Sequence, residues 1–166
     1  NYLNKIWNSA RYILLNLPDD FTSFPIVKKD LNEIDKYIIN KLEETIKKVT
    51  KAMDKFDYGI ASSTLYNFVY NDFCSFYLEM SKVSLSSNDN NKEKTLNVLL
   101  FTLKAVIMMI YPFSPFISEE IYLHLPGHKD SIMLESYPVF ENKLISKNVN
   151  EKVEVLKQII ETVRNY

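Results

Sequence analysis

The chain has 166 residues, of which 46% are hydrophobic and 25% are charged, proportions typical of a globular domain that buries a core without disulfides or metal. Two glycines and six prolines are too few for the tight turns that a β-sandwich or barrel needs about every 10 residues, so the composition favours helices. A formal net charge of -1 excludes the long-range attraction of a strongly basic domain for nucleic acid, and any such contact must be local.

The first predicted helix runs to the first proline of the chain. Its apolar positions recur at three- and four-residue steps and predict a buried face: Leu3, Ile6, Trp7, Ala10, Leu14 and Leu17. The opposite side presents three polar side chains at steps of four and three, called here the polar strip: Asn4, Asn8 and Arg11. Lys5 and Tyr12 flank this strip.

A loop precedes the second predicted helix. Asp30 is a suitable N-cap with Glu33 three residues later, an arrangement that resembles a capping box. The helix that follows would be roughly 40 Å long. Lys and Glu alternate on its remaining positions and predict a solvated, ion-paired outer face. The buried face is marked by Leu31, Ile34, Ile38, Leu42, Ile46, Val49, Met53 and Phe56.

Two further apolar segments follow. Residues 58–82 are apolar on several sides, as a central helix would be, and they contain the only cysteine, Cys74. A small buried thiol with no partner in the chain fits a reducing compartment better than secretion. Small polar residues over 84–94 predict a loop, and residues 95–111 predict a second core helix.

The last third of the chain contains a short helix over 117–125, with Glu119 and Glu120 placed to suit the helix dipole. An extended connector over 131–138 and an amphipathic helix over 149–163 follow. We therefore expect an all-α fold in three parts: a bundle over 1–125, a connector packed on it over 126–147, and the start of a C-terminal helix over 148–166. The missing initial Met and the amphipathic end suggest a piece of a longer protein, and no signal peptide or transmembrane span is recognised.

Catalysis requires converging groups, and the sequence provides none. His124 and His128 have a spacing that could ligate zinc on a helix, but a Pro-Gly pair separates them and no cysteine or acid completes a site. Glu119 and Glu120 are adjacent and diverge by about 100° on a helix, so they cannot face each other. Glycine-rich phosphate loops and nucleophile elbows are also missing. We expect no catalytic site, metal or cofactor in this chain.

The polar strip is therefore the best candidate site, because its side chains suit unpaired nucleic-acid bases. Asn offers a donor and an acceptor, Arg offers a planar fork, and an aromatic ring offers a stacking face. In the following loop, Phe21 and Phe24 could stack on bases while Lys28 and Lys29 contact phosphates. The alternative is a polar helix face that is simply solvated.

Three blocks carry a resemblance to a known family: NKIWNSARYILLNL, YNFVYNDFCSFYLEMSK and YPFSPFISEEIYLHL. In this order and spacing they resemble the anticodon-binding helical domain of valyl-tRNA synthetases, which are class I enzymes. SIMLESYP and VEVLKQIIETVRN also fit, so the resemblance covers nearly the whole chain. Tyr70 and Tyr122 stand where the family has Trp, Tyr111 where it has His, and Ser75 where an Asp is expected.

The resemblance implies an antiparallel helix bundle of the class Ia synthetase type that holds the anticodon loop of valine tRNA, whose second and third anticodon bases are A and C by the genetic code. Arg11, with Asn4, Asn8 and Lys5, would face the loop, and Phe21 or Phe24 would stack on a base. The catalytic and editing domains would lie upstream, in a parent enzyme that ligates valine to tRNA using ATP. A monomeric cytoplasmic protein is expected, with an organelle as the alternative.

Other interpretations stay open at this point. The chain could be the equivalent domain of an isoleucyl- or leucyl-tRNA synthetase, which share the fold, or a protein-interaction scaffold that docks through its last helix. Individual residues could also fasten helices together rather than bind RNA. That alternative is strongest for Trp7, Asp72, Pro112 and Pro115, and it applies to Arg11 if a neighbouring helix supplies a carboxylate.

Overall fold

The computed structural model describes residues 2–86 and 91–164, and every regular element in those ranges is helical. The prediction of an all-α bundle is confirmed. Seven α-helices follow one another along these ranges: α1 (Tyr2–Asn16), α2 (Glu33–Asp54), α3 (Tyr58–Asn67), α4 (Leu78–Ser86), α5 (Asn91–Ile110), α6 (Pro115–Tyr122) and α7 (Asn150–Arg164). A π-helical segment, Phe68–Tyr77, joins α3 to α4, and short 3-10 turns form at Lys28–Asp30, Ile132–Leu134 and Asn142–Leu144.

In α1 the buried stripe differs from the predicted one. Ile6, Ala10 and Ile13 are buried at steps of four and three, whereas Trp7 is 42% exposed and Leu3 is exposed as well. The prediction that Trp7 points into the core is wrong. Ile6, Ala10 and Ile13 lie close together around the helix axis, and Trp7 is rotated by about 100° from Ile6. Trp7 therefore lies at the edge of the buried stripe.

The boundaries of α2 are narrower than predicted. Asn32, not Asp30, is the N-cap, and its side chain accepts a hydrogen bond of 2.8 Å from the backbone N–H of Asp35. Asp30 instead ends a 3-10 turn. At the other end, Phe56 lies beyond the helix with a φ of 58° and a mostly exposed ring, because the chain reverses there into α3.

The centre of the fold is formed by α5, which is buried on most sides from Thr95 to Ile110, as predicted for residues 95–111. The predicted loop over 84–94 is shorter in the structure, since α4 reaches Ser86 and α5 begins at Asn91; the four positions between them lie outside the described residues. The π-helical segment, in which the turns widen, was not predicted.

Polar contacts made by Glu119 and Asp72 are among those that hold the C-terminal part on the bundle. Glu119 of α6 accepts hydrogen bonds from the Ser131 hydroxyl at 3.2 Å and the Ile132 N–H at 3.1 Å, so it anchors the connector in addition to any effect on the helix dipole. Asp72 in the π-helical segment accepts a hydrogen bond from the Lys157 ammonium of α7 at 2.8 Å, which favours the fastening alternative for Asp72. None of the described helices combines the length and apolarity that a bilayer span requires.

Candidate nucleic-acid interface

The polar strip is a solvent-facing surface of α1. Asn4, Asn8 and Arg11 are all exposed, about one helical turn apart. Within residues 2–86 and 91–164, none of the three side chains makes a hydrogen bond or an ion pair. The alternative in which Arg11 fastens α1 to a carboxylate of another helix therefore has no contact to support it in the described ranges. A planar guanidinium with all its donors free is available for a ligand.

Lys5 is placed differently from the rest of the predicted site. Its side chain is half-buried, its Nζ donates a hydrogen bond to the Ser75 hydroxyl, and it lies 3.7 Å from the centre of the Tyr70 ring. Ser75 in turn donates to the backbone oxygen of Tyr70 at 2.6 Å. Lys5 therefore links α1 to the π-helical segment.

Arg11 borders a groove of about 330 Å³ between α1 and α6. Trp7, Ala10 and Leu14 line it from α1, Ile121 lines it from α6, and His124 lines it from the turn that follows α6. The groove therefore combines an apolar floor, an indole face and a guanidinium. Sequence reasoning missed Trp7 as a candidate stacking residue, because an aromatic residue at the edge of an apolar stripe has the same spacing as one in the core.

His124 has a defined hydrogen-bonding role in this groove. Its Nδ1 lies 2.8 Å from the backbone oxygen of Glu120, and a carbonyl oxygen can only accept, so Nδ1 carries the proton. In the neutral ring Nε2 is then an acceptor. The groove thus presents a donor fork from Arg11 and an acceptor from His124.

The two phenylalanines of the loop after α1 have different surroundings. Phe21 is 8% exposed and belongs to the core, so it offers no free face for a base. Phe24 is 39% exposed, and its ring centre lies 6.4 Å from that of Phe21. The amide of Asn97 holds the loop at this point, since it accepts from the N–H of Phe24 at 3.1 Å and donates to its backbone oxygen at 2.8 Å. Of the two predicted stacking residues, Phe24 is the accessible one.

The two loop lysines also differ. Lys28 donates a hydrogen bond of 3.0 Å from Nζ to the backbone oxygen of Ile145, which ties the loop to the connector. Lys29 is exposed and contacts no other described side chain through hydrogen bonds or ion pairs. Lys29 is therefore the freer of the two for a phosphate.

Phe24 stands at the rim of a second, larger cavity of about 500 Å³, formed with α2, α5, the end of α6 and the connector. One of its walls carries Glu135, which accepts hydrogen bonds from the Tyr122 hydroxyl at 2.7 Å and from the Lys104 ammonium at 2.9 Å. Lys129 Nζ lies 3.4 Å from the other carboxylate oxygen. The Tyr122 hydrogen bond and these cations lower the pKa of Glu135 to about 2.

The cavity also contains a group that the sequence did not single out. Glu43 resembles the other charged residues of α2 but is 1% exposed. Its position gave a signal that could have identified it, because it follows Ile39 by four and precedes Ile46 by three, on the buried face. Burial raises the pKa of the Glu43 carboxyl.

The described residues bring together no three histidine, cysteine or acidic side chains that could hold a metal ion. His124 and His128 each place Nδ1 against a backbone oxygen, those of Glu120 and Lys129 respectively.

Comparisons with known proteins give the family. Residues 35–166 match the family described as the anticodon-binding domain of tRNA ligase. The valine–tRNA ligases of Staphylococcus aureus strains JH9 and Newman are each 40% identical over 166 residues, 99% of this chain. The chain spans 19% of the length of these relatives.

A solved structure agrees on the fold. The LeuRS of Agrobacterium radiobacter K84, crystallised as a ternary complex with tRNA and LeuAMS, superposes with a TM-score of 0.64. The sequence identity is 22%, over 87% of this chain and 16% of that one, so the likeness concerns the architecture alone. On the strength of the family match, this chain belongs to the anticodon-binding domains of tRNA ligases.

Proposed function

We propose that this chain binds the anticodon stem-loop of valine tRNA within a valine–tRNA ligase that uses ATP in its catalytic part. The family membership and the 40% identity to valine–tRNA ligases support this assignment. One observation of the molecule carries it: the Arg11 guanidinium is exposed on α1 and has no partner among the described residues, beside the exposed indole of Trp7.

The polar strip supplies the chemistry that an unpaired loop requires. Splayed bases are bound through hydrogen bonds to their edges and through stacking on aromatic rings. Asn4 and Asn8 provide amide donors and acceptors, Arg11 provides two parallel donors, and Trp7 or Phe24 provides a stacking face. Lys29 can contact a phosphate without breaking an internal contact. Because the net charge is -1, binding would depend on these local groups and would weaken moderately with salt.

The test is the affinity of the full-length protein for valine tRNA, measured by fluorescence titration. Arg11→Ala is expected to weaken binding by about 1–3 kcal/mol, roughly 5- to 150-fold, on the scale of base-edge contacts in DNA. Arg11→Lys keeps the charge and loses the fork, so it separates base recognition from phosphate contact. Lys51→Ala, which removes an exposed cation from α2, is the matched control.

Melting temperature distinguishes binding from fastening. Since Arg11 has no partner among the described residues, Arg11→Ala should leave the melting temperature nearly unchanged. Unchanged affinity for tRNA in Arg11→Ala would remove this residue from the site. A drop in melting temperature with equal loss for all RNAs would indicate a structural role.

A second candidate function is a protein-interaction scaffold. It is favoured by the outer face of α7, where Val155, Ile159 and Val163 expose more than half of their surface at four-residue steps. Exposed apolar faces of a helix are common in protein–protein interfaces. Absence of tRNA binding at low salt, by the full-length protein as well as by the chain alone, would favour this function over RNA binding.

A further inference from the structure

The cavity behind Phe24 contains an acceptor that the protein itself does not use. Glu43 Oε2 accepts a hydrogen bond of 2.6 Å from the backbone N–H of Glu141. No cation and no second donor reaches the carboxyl from the described residues, although Glu43 is almost fully buried. Buried carboxyl groups are normally paired, so Oε1 is an unoccupied acceptor in the wall of the cavity.

The rest of the cavity has the shape and chemistry of a site for a flat ligand. Its volume of about 500 Å³ lies in the range of small-molecule sites, about 300–1,000 Å³. Ile26, Phe101, Met108 and Val139 give it apolar walls. The Phe24 ring adds an aromatic surface to the lining, and Asn97 holds the Phe24 backbone.

We propose that this cavity accepts one unstacked base of the anticodon loop and that Glu43 selects a base with an amino group at the position of adenine N6 or cytosine N4. The inference rests on the proposed function, because it deepens the recognition of the same RNA. The hydrogen bond from the Glu141 N–H favours the ionised carboxyl and opposes the effect of burial, and an ionised carboxyl can only accept hydrogen bonds. Oε1 therefore pairs with the N6 amino group of adenine or the N4 amino group of cytosine. The second and third anticodon bases of valine tRNA both carry such a group.

The same oxygen disfavours guanine and uracil in the orientation that adenine and cytosine would take. In that orientation either base would turn a keto oxygen, O6 or O4, toward Oε1, and two acceptors would then face each other without a proton between them. Leaving a buried polar group unpaired is penalised more heavily than a good hydrogen bond is rewarded. Discrimination should therefore exceed what apolar walls alone could give.

The cavity and the groove at Arg11 are neighbours across one helix. Ile121 of α6 and His124 of the turn after it line the groove, while Tyr122 of α6 and Leu125 of the same turn line the cavity. An anticodon loop bound along the polar strip would thus have the end of α6 beside it, with the cavity on the other side of that helix.

Glu43→Gln provides a sharp test because its amide has a predictable orientation. The N–H of Glu141 requires an acceptor, so the amide oxygen takes the place of Oε2 and the NH₂ group takes the place of Oε1. The substitution changes the cavity group from an acceptor to a donor with almost no change of volume. It should therefore reverse the preference from amino to keto bases.

The measurement is a fluorescence titration of the full-length protein with three valine tRNA transcripts: the natural anticodon, A→G at the second position, and C→U at the third. Wild type should bind one of the two altered transcripts on the order of 10-fold more weakly than the natural one. Glu43→Gln should abolish or reverse that difference. Glu44→Gln, an exposed neighbour on α2, should behave as wild type. Circular dichroism checks that the fold is retained.

The outcomes separate the two proposals. If Glu43→Gln keeps the discrimination of wild type at both positions, the cavity does not hold a base, while a loss of affinity in Arg11→Ala would still support the proposed function. If wild type does not discriminate at either position, Glu43 selects nothing and the inference fails. If wild type does not bind tRNA at all, both proposals fail together.

Discussion

Replacing Glu135 with Gln should loosen the wall that the connector contributes to the larger cavity. The Tyr122 hydroxyl donates to Glu135 at 2.7 Å, Lys104 donates at 2.9 Å and Lys129 lies at 3.4 Å. Gln keeps an acceptor for Tyr122 but loses the charge. The two lysines are 40% and 53% exposed, so each ion pair contributes only about 0–1 kcal/mol. Loss of charge assistance in the Tyr122 hydrogen bond adds a similar amount.

The free energy of unfolding should therefore fall by about 1–2 kcal/mol, or roughly 2–8 °C in melting temperature for a chain of this length. Thermal melts followed by circular dichroism measure this loss at pH 7. Glu79→Gln, which breaks the exposed pair between Glu79 and Lys82, is the control and should cost about 0.5 kcal/mol or less.

The stabilisation that the Glu135 carboxylate provides should depend on pH in a defined direction. Because the pKa of Glu135 is lowered from 4.5 to about 2 in the folded state, its carboxylate stabilises the fold fully above pH 4.5 and loses this effect as the pH falls toward 2. The difference between wild type and Glu135→Gln should shrink over that window. A difference that is the same at pH 7 and pH 2.5 would refute the electrostatic explanation, and no difference at pH 7 would refute the network itself.

Two further substitutions test the packing around the site. Phe21→Ala should destabilise the fold by about 3–5 kcal/mol, as for a buried aromatic side chain. Phe24→Ala should destabilise the fold far less and should weaken tRNA binding. Similar melting temperatures for the two variants would contradict their different burial. Asp72→Ala leaves Lys157 without its carboxylate, so hydrogen exchange should accelerate in α7 more than in α5; equal protection in α7 before and after the change would show that Asp72 does not hold this helix.

The helices could be predicted because their signal is local. Apolar residues at three- and four-residue steps define α1 and α2 from the sequence, and a densely apolar stretch defines α5. The single helix predicted over 58–82 is instead α3, the π-helical segment and α4. Capping was less predictable, since Asp30 and Asn32 both suit an N-cap. In the structure Asp30 belongs to a 3-10 turn and Leu31 after it is buried, so α2 starts later and Asn32 is its N-cap.

The individual residues of the candidate site depend on tertiary packing, which periodicity cannot give. Phe21 and Phe24 are three residues apart in one loop, and only the position of α5 determines that Asn97 holds Phe24 at the surface. Trp7 lies at the edge of the α1 stripe, and its exposure depends on where α6 packs. The contacts of Lys5 with Ser75 and Tyr70 depend on how the π-helical segment packs against α1, which the spacing of Lys5 within its own helix does not reveal.

Cleavage of bound RNA from a reagent tethered to α1 tests the central claim most directly. Cys74 is buried, so Asn8→Cys introduces an accessible thiol into the polar strip for a hydroxyl-radical-generating iron chelate, in a full-length protein whose other accessible cysteines have been replaced. Bound valine tRNA should be cleaved in its anticodon loop, and the same reagent at Lys51→Cys on α2 should cleave there far less. Cleavage confined to another part of the tRNA, or equal cleavage from the two positions, would contradict the proposal that the polar strip faces the anticodon.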